Sequence, residues 1–454
     1  MKKSSKEVLY TVTILGMLLM LTISSGMFVS STPKSVQNRD ASPIILYTAA
    51  ENNALRWNTT WGGAGGDYGY GVAVDASGSI YCVGETYSFG AGDTDFALVK
   101  FAPAGTKYWN ITWGGANYDT GYSVAVDANG SIYCFGYTNN FGAGNYDFAL
   151  VKFAPNGTKL WNTTWGGVGP EYGYGVAVDA NGSIYCVGTT LSFGAGAFDL
   201  ALVKFAPSGT KLWNRTWGGA SDDELGYGIA VDAAGNLYCV GETKSFGAGE
   251  SDLALVMYDS NGTKQWNITW GGASDDVGWG VAVDISGSTY CVGETFSFGA
   301  GHSDFALVKF NHNGIQLWNH TWGGAGTVDV GQGITMDAHG YVYYIGRTSS
   351  YDVENDDFAL FKLTPSGIYL WNITWGGASD DVGYGVAVDA SGSIYCIGTT
   401  NSFGAGNGDL ALVKFGYQPG EPGGIPGFEF VYLLLGLLAL LYLVQRRKIY
   451  RTTP

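Results

Sequence analysis

The amino-acid sequence predicts an all-β protein, a seven-bladed β-propeller of four-stranded antiparallel blades, on three observations. First, the motif Trp-Asn-x-Thr-Trp-Gly-Gly recurs seven times at spacings of 52 or 53 residues. Second, each period carries short strand-like runs and turn signals, without an amphipathic run of helical length. Third, the first and last copies are incomplete in complementary ways. The motif begins at Trp57, Trp109, Trp161, Trp213, Trp266, Trp318 and Trp371.

One repeat contains four candidate strands in a fixed order. Small and β-branched residues predict strands over Tyr70–Asp75, Ser79–Glu85, Asp95–Phe101 and Lys107–Thr112. Tight turns with Ser-Gly and Pro-Ala-Gly join the first two and the last two strands. The loop Thr86–Thr94, with Phe-Gly-Ala-Gly at its centre, joins the middle pair. Repetition of this hairpin-like unit around an axis gives a propeller.

The ends of the repeat array predict how the ring closes. The first Trp-Asn-Thr-Thr-Trp, at 57–61, is a fourth strand without the preceding three, whereas the last unit, Tyr384–Phe415, has three strands and lacks a fourth. We therefore expect the amino-terminal strand to complete the last blade, which removes the open sheet edge at the seam. Both ends of the ring then lie on the face with the tight turns.

The segments outside the repeats predict export and membrane attachment. Residues 1–3 are basic in part and precede an apolar run at 9–23, which is the layout of a signal peptide or of an uncleaved anchor. A second apolar run ends just before a basic cluster at 446–448, which predicts a span with its basic end inside the cell. The predicted segments are 1–30 (signal peptide or anchor), 31–53 (linker), 54–416 (propeller), 417–427 (Pro/Gly linker), 428–445 (transmembrane helix) and 446–454 (basic cytoplasmic tail).

This arrangement predicts localisation on the extracellular face of the cell membrane. Residues 416–427 reach at most roughly 40 Å, so the tight-turn face should lie toward the membrane and the long-loop face away from it. The formal net charge of −16 would repel nucleic-acid phosphates, so we expect no nucleic-acid partner.

The six cysteines are predicted to be free. Cys82, Cys134, Cys186, Cys239, Cys291 and Cys396 occupy one equivalent position in six units, where Tyr344 stands in the remaining one. Equivalent positions on facing sheets are about 10 Å apart, beyond the roughly 7 Å that a disulfide allows between Cα atoms. We expect these side chains to be small buried apolar groups.

Two resemblances add to this interpretation. The recurring segments Gly-Tyr-Gly-Val-Ala-Val-Asp, Ile-Tyr-Cys-Val-Gly and Asp-Phe-Ala-Leu-Val-Lys-Phe resemble the SBBP β-propeller repeat family over 54–416. That resemblance implies the fold and little about activity. The run Ile425-Pro-Gly-Phe428, with the apolar and basic segments after it, resembles the PGF-type sorting signals of archaeal surface proteins. It implies removal of the helix by an archaeosortase and linkage to lipid; Glu429 departs from the pattern, and a plain single-pass anchor is the alternative.

An acid followed three residues later by an aromatic residue forms the most informative candidate site. The acids lie in the loops that enter each innermost strand, and by topology these loops ring the channel mouth on the long-loop face. Carboxylates with aromatic rings can bind a sugar or a cation; alternatively the acid braces adjacent blades and the ring packs between them. The pairs are Asp67 with Tyr70, Asp119 with Tyr122, Glu171 with Tyr174, Glu224 with Tyr227, Asp276 with Trp279, Asp329 with Gln332, and Asp381 with Tyr384.

Two further carboxylate series have simpler interpretations. The Asp at each first hairpin should accept turn amides, and the Asp that opens each third strand should brace the long loop. The hairpin series is Asp75, Asp127, Asp179, Asp232, Asp284, Asp337 and Asp389; the third-strand series is Asp95, Asp147, Asp199, Asp252, Asp304, Asp357 and Asp409. The four His occupy unrelated repeat positions, so the sequence predicts no metal site, cofactor or catalytic set.

The motif asparagines are candidate N-glycosylation sites, because each stands two residues before Thr. They share a strand face with that Thr, opposite the flanking Trp residues, on the outermost strand. The alternative is a hydrogen-bonded ladder between blades that is never modified. The candidates are Asn58, Asn110, Asn162, Asn214, Asn267, Asn319 and Asn372.

These observations together predict a non-enzymatic cell-surface propeller that binds carbohydrate or protein through its long-loop face. We also expect two other partners. One is the membrane, bound through the carboxyl-terminal helix or through a lipid that replaces it, and the other is a sortase-like processing enzyme. There are two alternatives: an extracellular enzyme that acts on glycans, and a structural envelope protein without a specific ligand. The enzyme is disfavoured, because seven near-identical acid positions favour a scaffold over a specialised acid and base.

Overall fold

A computed structural model of the protein describes residues 54–220, 223–350 and 355–416. These residues form a closed ring of seven four-stranded antiparallel sheets, which confirms the predicted seven-bladed propeller. The predicted segments 1–30, 31–53, 417–427, 428–445 and 446–454 lie outside the described residues. Within the described part of the chain, no helix has the length and apolar character that crossing a membrane requires.

The strands follow the same order in every blade, from the innermost strand to the outermost. Blade 1 contains β2 (Asp67–Val74), β3 (Ile80–Thr86), β4 (Asp95–Phe101) and β5 (Lys107–Trp113); blade 2 contains β6 (Asp119–Val126), β7 (Ile132–Thr138), β8 (Asp147–Phe153) and β9 (Lys159–Trp165); blade 3 contains β10 (Glu171–Val178), β11 (Ile184–Thr190), β12 (Asp199–Phe205) and β13 (Lys211–Trp217). Blade 4 contains β14 (Glu224–Val231), β15 (Leu237–Thr243), β16 (Asp252–Tyr258) and β17 (Lys264–Trp270); blade 5 contains β18 (Asp276–Val283), β19 (Thr289–Thr295), β20 (Asp304–Phe310) and β21 (Gln316–Trp322). Blade 6 contains β22 (Asp329–Met336), β23 (Val342–Thr348), β24 (Asp357–Leu363) and β25 (Tyr369–Trp375); blade 7 contains β26 (Asp381–Val388), β27 (Ile394–Thr400), β28 (Asp409–Phe415) and β1 (Leu55–Trp61).

The amino-terminal strand closes the ring as the sequence predicts. Strand β1 pairs antiparallel with β28, from Leu55 opposite Phe415 to Trp61 opposite Leu410. The Arg56 guanidinium also donates to the Gly416 carbonyl at the end of this pairing. Blade 7 is therefore built from both ends of the repeat array.

The innermost strands begin three residues earlier than the sequence predicts. The pairing of β2 with β3 starts at Asp67 opposite Thr86 and shifts register between Gly69 and Gly71, so Tyr70 is an extra residue in a β-bulge. Every blade has this shift at the equivalent position. The first acids are thus the opening residues of strands, and the prediction that they lie in loops is wrong. A bulge interrupts the two-residue alternation on which the boundary was predicted.

The hydrophobic core lies between adjacent blades. In the cluster between blades 1 and 2, Val83, Phe96 and Trp113 of one blade pack with Val124 and Cys134 of the next. Equivalent clusters occur at the other blade junctions that the structure describes. Because each sheet buries both faces against its neighbours, its two middle strands are apolar on both sides.

The six cysteines are all free and buried within these clusters, as the sequence predicts. Burial raises the pKa of each thiol well above its ordinary value. We expect native protein to resist alkylation and denatured, unreduced protein to gain six adducts by mass spectrometry. A species with fewer adducts that recovers the missing ones after reduction would contradict this prediction.

Candidate functional site

The seven acids that open the innermost strands are buried and hold loop backbone. Asp67 is 0% exposed, and its Oδ2 accepts hydrogen bonds from the Gly63 amide at 2.7 Å and the Ser88 hydroxyl at 2.6 Å. Thr86 donates to its other oxygen. The equivalent bonds from the second Gly of the motif run from Gly115 to Asp119, Gly167 to Glu171, Gly219 to Glu224, Gly272 to Asp276, Gly324 to Asp329, and Gly377 to Asp381. The geometry therefore gives these carboxylates a bracing role.

Each acid that opens a third strand lies close to the acid that opens the innermost strand of the next blade. The first Gly of the Trp-Gly-Gly motif lies between the two carboxyl groups. Asp95 accepts the amides of Ala91 at 2.8 Å and Gly92 at 3.2 Å, which holds the long loop. A Cβ added at Gly114 would lie 2.1 Å from Asp95 Oδ1 and 2.6 Å from Asp119 Oδ2, so only glycine fits between the two carboxyls. Burial and the nearby Asp95 both raise the pKa of Asp119. These acids join neighbouring blades.

The hairpin acids organise the turns on the opposite face. Asp75 Oδ1 accepts the amides of Ser77 and Ser79, each at 2.9 Å, and Oδ2 accepts the Tyr81 hydroxyl at 2.9 Å. Burial alone would raise the pKa of Asp75, but these hydrogen bonds outweigh it and lower the pKa. The same bonding recurs at Asp127, Asp284 and Asp389. This series is structural.

The aromatic members of the pairs form a collar around the central channel. We call the half-buried residues at the seven bulges the collar: Tyr70, Tyr122, Tyr174, Tyr227, Trp279, Gln332 and Tyr384. Consecutive rings are in contact, with centroid separations of 4.8 Å (Tyr70 to Tyr122), 5.1 Å (Tyr122 to Tyr174), 5.2 Å (Tyr174 to Tyr227), 4.3 Å (Tyr227 to Trp279) and 5.1 Å (Tyr384 to Tyr70). Gln332 replaces the ring in blade 6, so the series of aromatic rings is interrupted on that side.

A second layer of side chains lies between the collar and the long loops. We call it the mouth layer: Glu85, Tyr137, Thr189, Glu242, Glu294, Arg347 and Thr399, one from each second strand just before its end. Within the near-invariant strand Ile-Tyr-Cys-Val-Gly-x-Thr, this is the position x that changes most between copies. The sequence reasoning missed these residues, although that variability was the signal that could have identified them.

Direct hydrogen bonds connect the mouth layer to the collar. Glu85 accepts the Tyr70 hydroxyl at 3.0 Å and, from the next blade, the Thr120 hydroxyl at 2.7 Å. Glu294 accepts the indole N–H of Trp279 at 3.3 Å. These acids reach the rings from the side of the long loops. The collar and the mouth layer therefore form one continuous lining of the channel.

Burial raises the pKa of three mouth-layer carboxyls, Glu85, Glu242 and Glu294. Hydrogen bonds from Thr120 and Tyr70 partly offset this rise at Glu85. Among the ion pairs of the described residues, none involves any of these three acids. The channel therefore holds partly desolvated carboxyls, and the charges of Lys244 and Arg347 offset only part of the burial-driven rise in the pKa of Glu242 and of Glu294, respectively.

The rest of the mouth is unequal on its two sides. In blades 2 and 3, Tyr137, Tyr146 and Tyr172 form an aromatic cluster with centroids 5.1 to 5.4 Å apart. In blades 4 to 6 the equivalent region carries Glu242 and Glu294, followed by the ion pair of Arg347 with Asp356 at 3.0 Å. A nearly sevenfold scaffold thus bears an aromatic side and a charged side at one end of its channel.

The motif asparagines lie on the outermost strands. Asn110 accepts a hydrogen bond from Lys107 at 3.2 Å, and Asn162 accepts one from Lys159 at 3.3 Å, in both cases within one strand. Asn58, Asn110, Asn162 and Asn319 are exposed, and Asn214, Asn267 and Asn372 are half-buried. The exposed copies are accessible from solvent.

No group of three or more His, Cys, Asp and Glu side chains with metal-binding geometry occurs among the described residues. The collar and mouth layer supply hydrogen-bond acceptors and ring surfaces. Those groups suit binding of an organic ligand.

Comparison with protein families confirms the resemblance to the SBBP beta-propeller repeat. That family model matches residues 375–404, and a model described as a beta-propeller domain of unknown function, DUF5122, matches residues 128–159. The comparison with curated proteins gave no match.

Comparison with solved structures gives several partial similarities. A gluconolactonase from Xanthomonas campestris is 12% identical with a TM-score of 0.39, over 81% of this chain and 92% of that chain. The Pan2 WD40 domain of Neurospora crassa is 10% identical with a TM-score of 0.43, over 78% and 90%. The extracellular domain of a one-component system from B. thetaiotaomicron is 12% identical with a TM-score of 0.44, over 82% of this chain and 43% of that chain.

Proposed function

We propose that this protein is a non-enzymatic cell-surface propeller that binds its ligand at the channel mouth on the long-loop face. The observation that carries the proposal is the departure from sevenfold repetition there. The mouth layer has Glu, Tyr, Thr and Arg at a single repeat position, whereas the bracing acids around it are Asp or Glu in every copy. A scaffold needs equivalent positions to be alike, and a ligand without sevenfold symmetry needs them to differ.

The orientation at the membrane supports an outward-facing mouth. Strand β28 is a third strand and runs toward the tight-turn face, where β1 also begins because Leu55 pairs with Phe415. The Pro/Gly segment 417–427 and the apolar segment 428–445 follow directly in the sequence. A short tether from that face directs the long loops away from the membrane.

The test is a glycan and surface-protein binding screen on the full chain, with released products assayed in parallel. We expect retention of a ligand without product, and weaker retention by Tyr172→Ala, which removes a ring of the aromatic cluster. Tyr108→Ala is the matched control, because Tyr108 is 59% exposed on an outermost strand. Product release would favour the enzyme alternative; equal loss in both variants, or no retained ligand, would contradict binding at the mouth.

We further propose that exported protein carries N-glycans on its rim. The exposed Asn58, Asn110, Asn162 and Asn319 should be modified before the half-buried copies, because a transferase must reach the side chain. Intact mass of native protein should exceed that of the polypeptide and fall after Asn110→Gln.

Asn145→Gln is the control for this rim prediction, since Asn145 is exposed but is followed by Tyr-Asp, which is not an acceptor sequence. A native mass equal to that of the bare polypeptide would leave the motif purely structural.

A further inference from the structure

We propose that the channel mouth binds an organic ammonium ion, held between the mouth-layer carboxylates and the collar rings. This inference rests on the proposed function and names the ligand class of the same site. Three independent features of the site lead to it: its charge, its ring surfaces and its unpaired hydroxyls.

The charge of the mouth layer favours a cation. Arg347 is the one basic residue of the layer, and it is paired with Asp356. No ion pair of the described residues involves Glu85, Glu242 or Glu294. The charges of Lys244 and Arg347 act on Glu242 and Glu294, respectively, yet burial still raises the pKa of both carboxyls. A carboxylate that is partly removed from water is stabilised by an opposite charge brought beside it, because the lower local dielectric strengthens the attraction. An anionic ligand would meet repulsion from the same groups.

The collar supplies ring surfaces at the depth where the charge would lie. The Trp279 indole donates to Glu294 and its centroid is 4.3 Å from that of Tyr227, so one carboxyl and two rings meet at one point. Ring faces attract an ammonium group by their quadrupole, and Trp is the strongest of the three aromatic residues in this respect. The combination of rings and carboxyl recognises a cation with alkyl groups better than a hydrated metal ion.

Two side chains of the mouth layer have unused hydrogen-bonding capacity. Thr189 is 2% exposed and Thr399 is 6% exposed, and neither hydroxyl has a hydrogen-bond partner among the described residues. Both occupy the repeat position of Glu85, whose side chain reaches the collar. Buried hydroxyls are ordinarily paired, so these two are available to a polar group attached to the ammonium.

The aromatic collar is interrupted next to the acidic side of the mouth. Blade 6 has Gln332 in place of a ring, next to Trp279 of blade 5. This interruption adjoins the acids of blades 4 and 5 and lies across the channel from the aromatic cluster of blades 2 and 3. Arg347, the mouth-layer residue of blade 6 itself, is paired with Asp356. A cation would sit on the acidic side, with the remainder of the ligand directed toward Thr189 and the tyrosines of blades 2 and 3.

Calorimetric titration of the full chain with choline tests the proposal, and 3,3-dimethylbutan-1-ol, its uncharged isostere, is the matched ligand. We expect choline to bind and the alcohol to bind at least tenfold more weakly, which corresponds to about 1.4 kcal/mol. Glu242→Gln and Trp279→Leu should each weaken choline at least tenfold. Trp279→Tyr should retain binding, since Tyr stands at this position in most blades.

Glu250→Gln is the matched control, because Glu250 is an exposed acid on the long loop of blade 4 and belongs to neither the collar nor the mouth layer. It removes the same charge and should leave choline affinity unchanged, with thermal unfolding confirming that every variant is folded. Equal binding of the alcohol, or equal weakening by Glu250→Gln, would overturn the proposal.

A third outcome is that choline does not bind, whereas a sugar or protein binds to the parent chain and is lost from Trp279→Leu. That outcome would overturn the ammonium proposal and leave the proposed function intact. Absence of any ligand at the mouth would overturn both.

Discussion

Deletion of residues 54–62 is expected to prevent the protein from folding into a closed monomer. These residues include β1, which pairs with β28 over its whole length and buries Trp61 to 6% exposure in the junction of blades 7 and 1. Truncation of one buried Trp costs about 3–5 kcal/mol, and the deletion also removes every backbone hydrogen bond of the strand. The total is comparable to the roughly 5–15 kcal/mol by which a whole native protein is stable.

The measurement is thermal and denaturant unfolding of the deletion beside a deletion of 31–50, which removes none of the described residues. The second variant should unfold like the parent chain. The first should be unfolded or self-associated, because β28 is left as an open edge that can pair with another chain. Equal unfolding transitions for the two deletions would show that β1 does not close the ring.

Substitution of Gly84 by Ala is expected to be strongly destabilising although it adds only one methyl group. A Cβ at Gly84 would lie 1.7 Å from the carbonyl oxygen of Tyr68 on the neighbouring strand. That carbonyl is fixed by the pairing that precedes the bulge, so it cannot retreat without loss of the β2–β3 ladder. Overpacking ordinarily costs about 1–3 kcal/mol, and contact with backbone should place this substitution at the top of that range or above it.

Gly326→Ala provides the control for this prediction. Gly326 has a φ of 80° and nothing within 4 Å of an added Cβ, so its substitution measures only the left-handed backbone penalty of about 1–2 kcal/mol. Urea unfolding should therefore rank the midpoints as parent, Gly326→Ala and Gly84→Ala, in descending order. If Gly84→Ala unfolds at the higher midpoint of the two variants, the close approach of the two strands is not as described.

Most of the fold could be predicted because repetition presents each pattern seven times. The closing strand could be recognised because residues 57–61 form a fourth strand without the three strands that precede it in other units. The cysteines could be predicted to be free because they occupy one equivalent position in successive units. The start of the innermost strand was predicted at Tyr70 instead of Asp67, because the bulge at Tyr70 breaks the alternation that marks a strand.

The candidate site could be predicted only in part. The sequence identified the aromatic residues of the collar but grouped them in one site with the first acids, which the structure buries in the blade junctions. A spacing of three residues does not reveal on which side of a bulge each side chain lies. Glu85 and its equivalents were missed because they belong to the second strand. Their meeting with Tyr70 depends on the pairing of two strands 15 residues apart in the chain.

The location of the ligand is the central claim, and an anomalous-scattering measurement tests it most directly. Crystals of the protein soaked with arsenocholine, the arsenic analogue of choline, should show an arsenic peak inside the channel, between the carboxyls of Glu242 and Glu294 and the Trp279 ring. The same soak of Glu242→Gln crystals should give a weaker peak. Arsenic found only on the outer rim or against the exposed long-loop rings such as Phe246, or no arsenic peak at all, would contradict a binding site at the channel mouth.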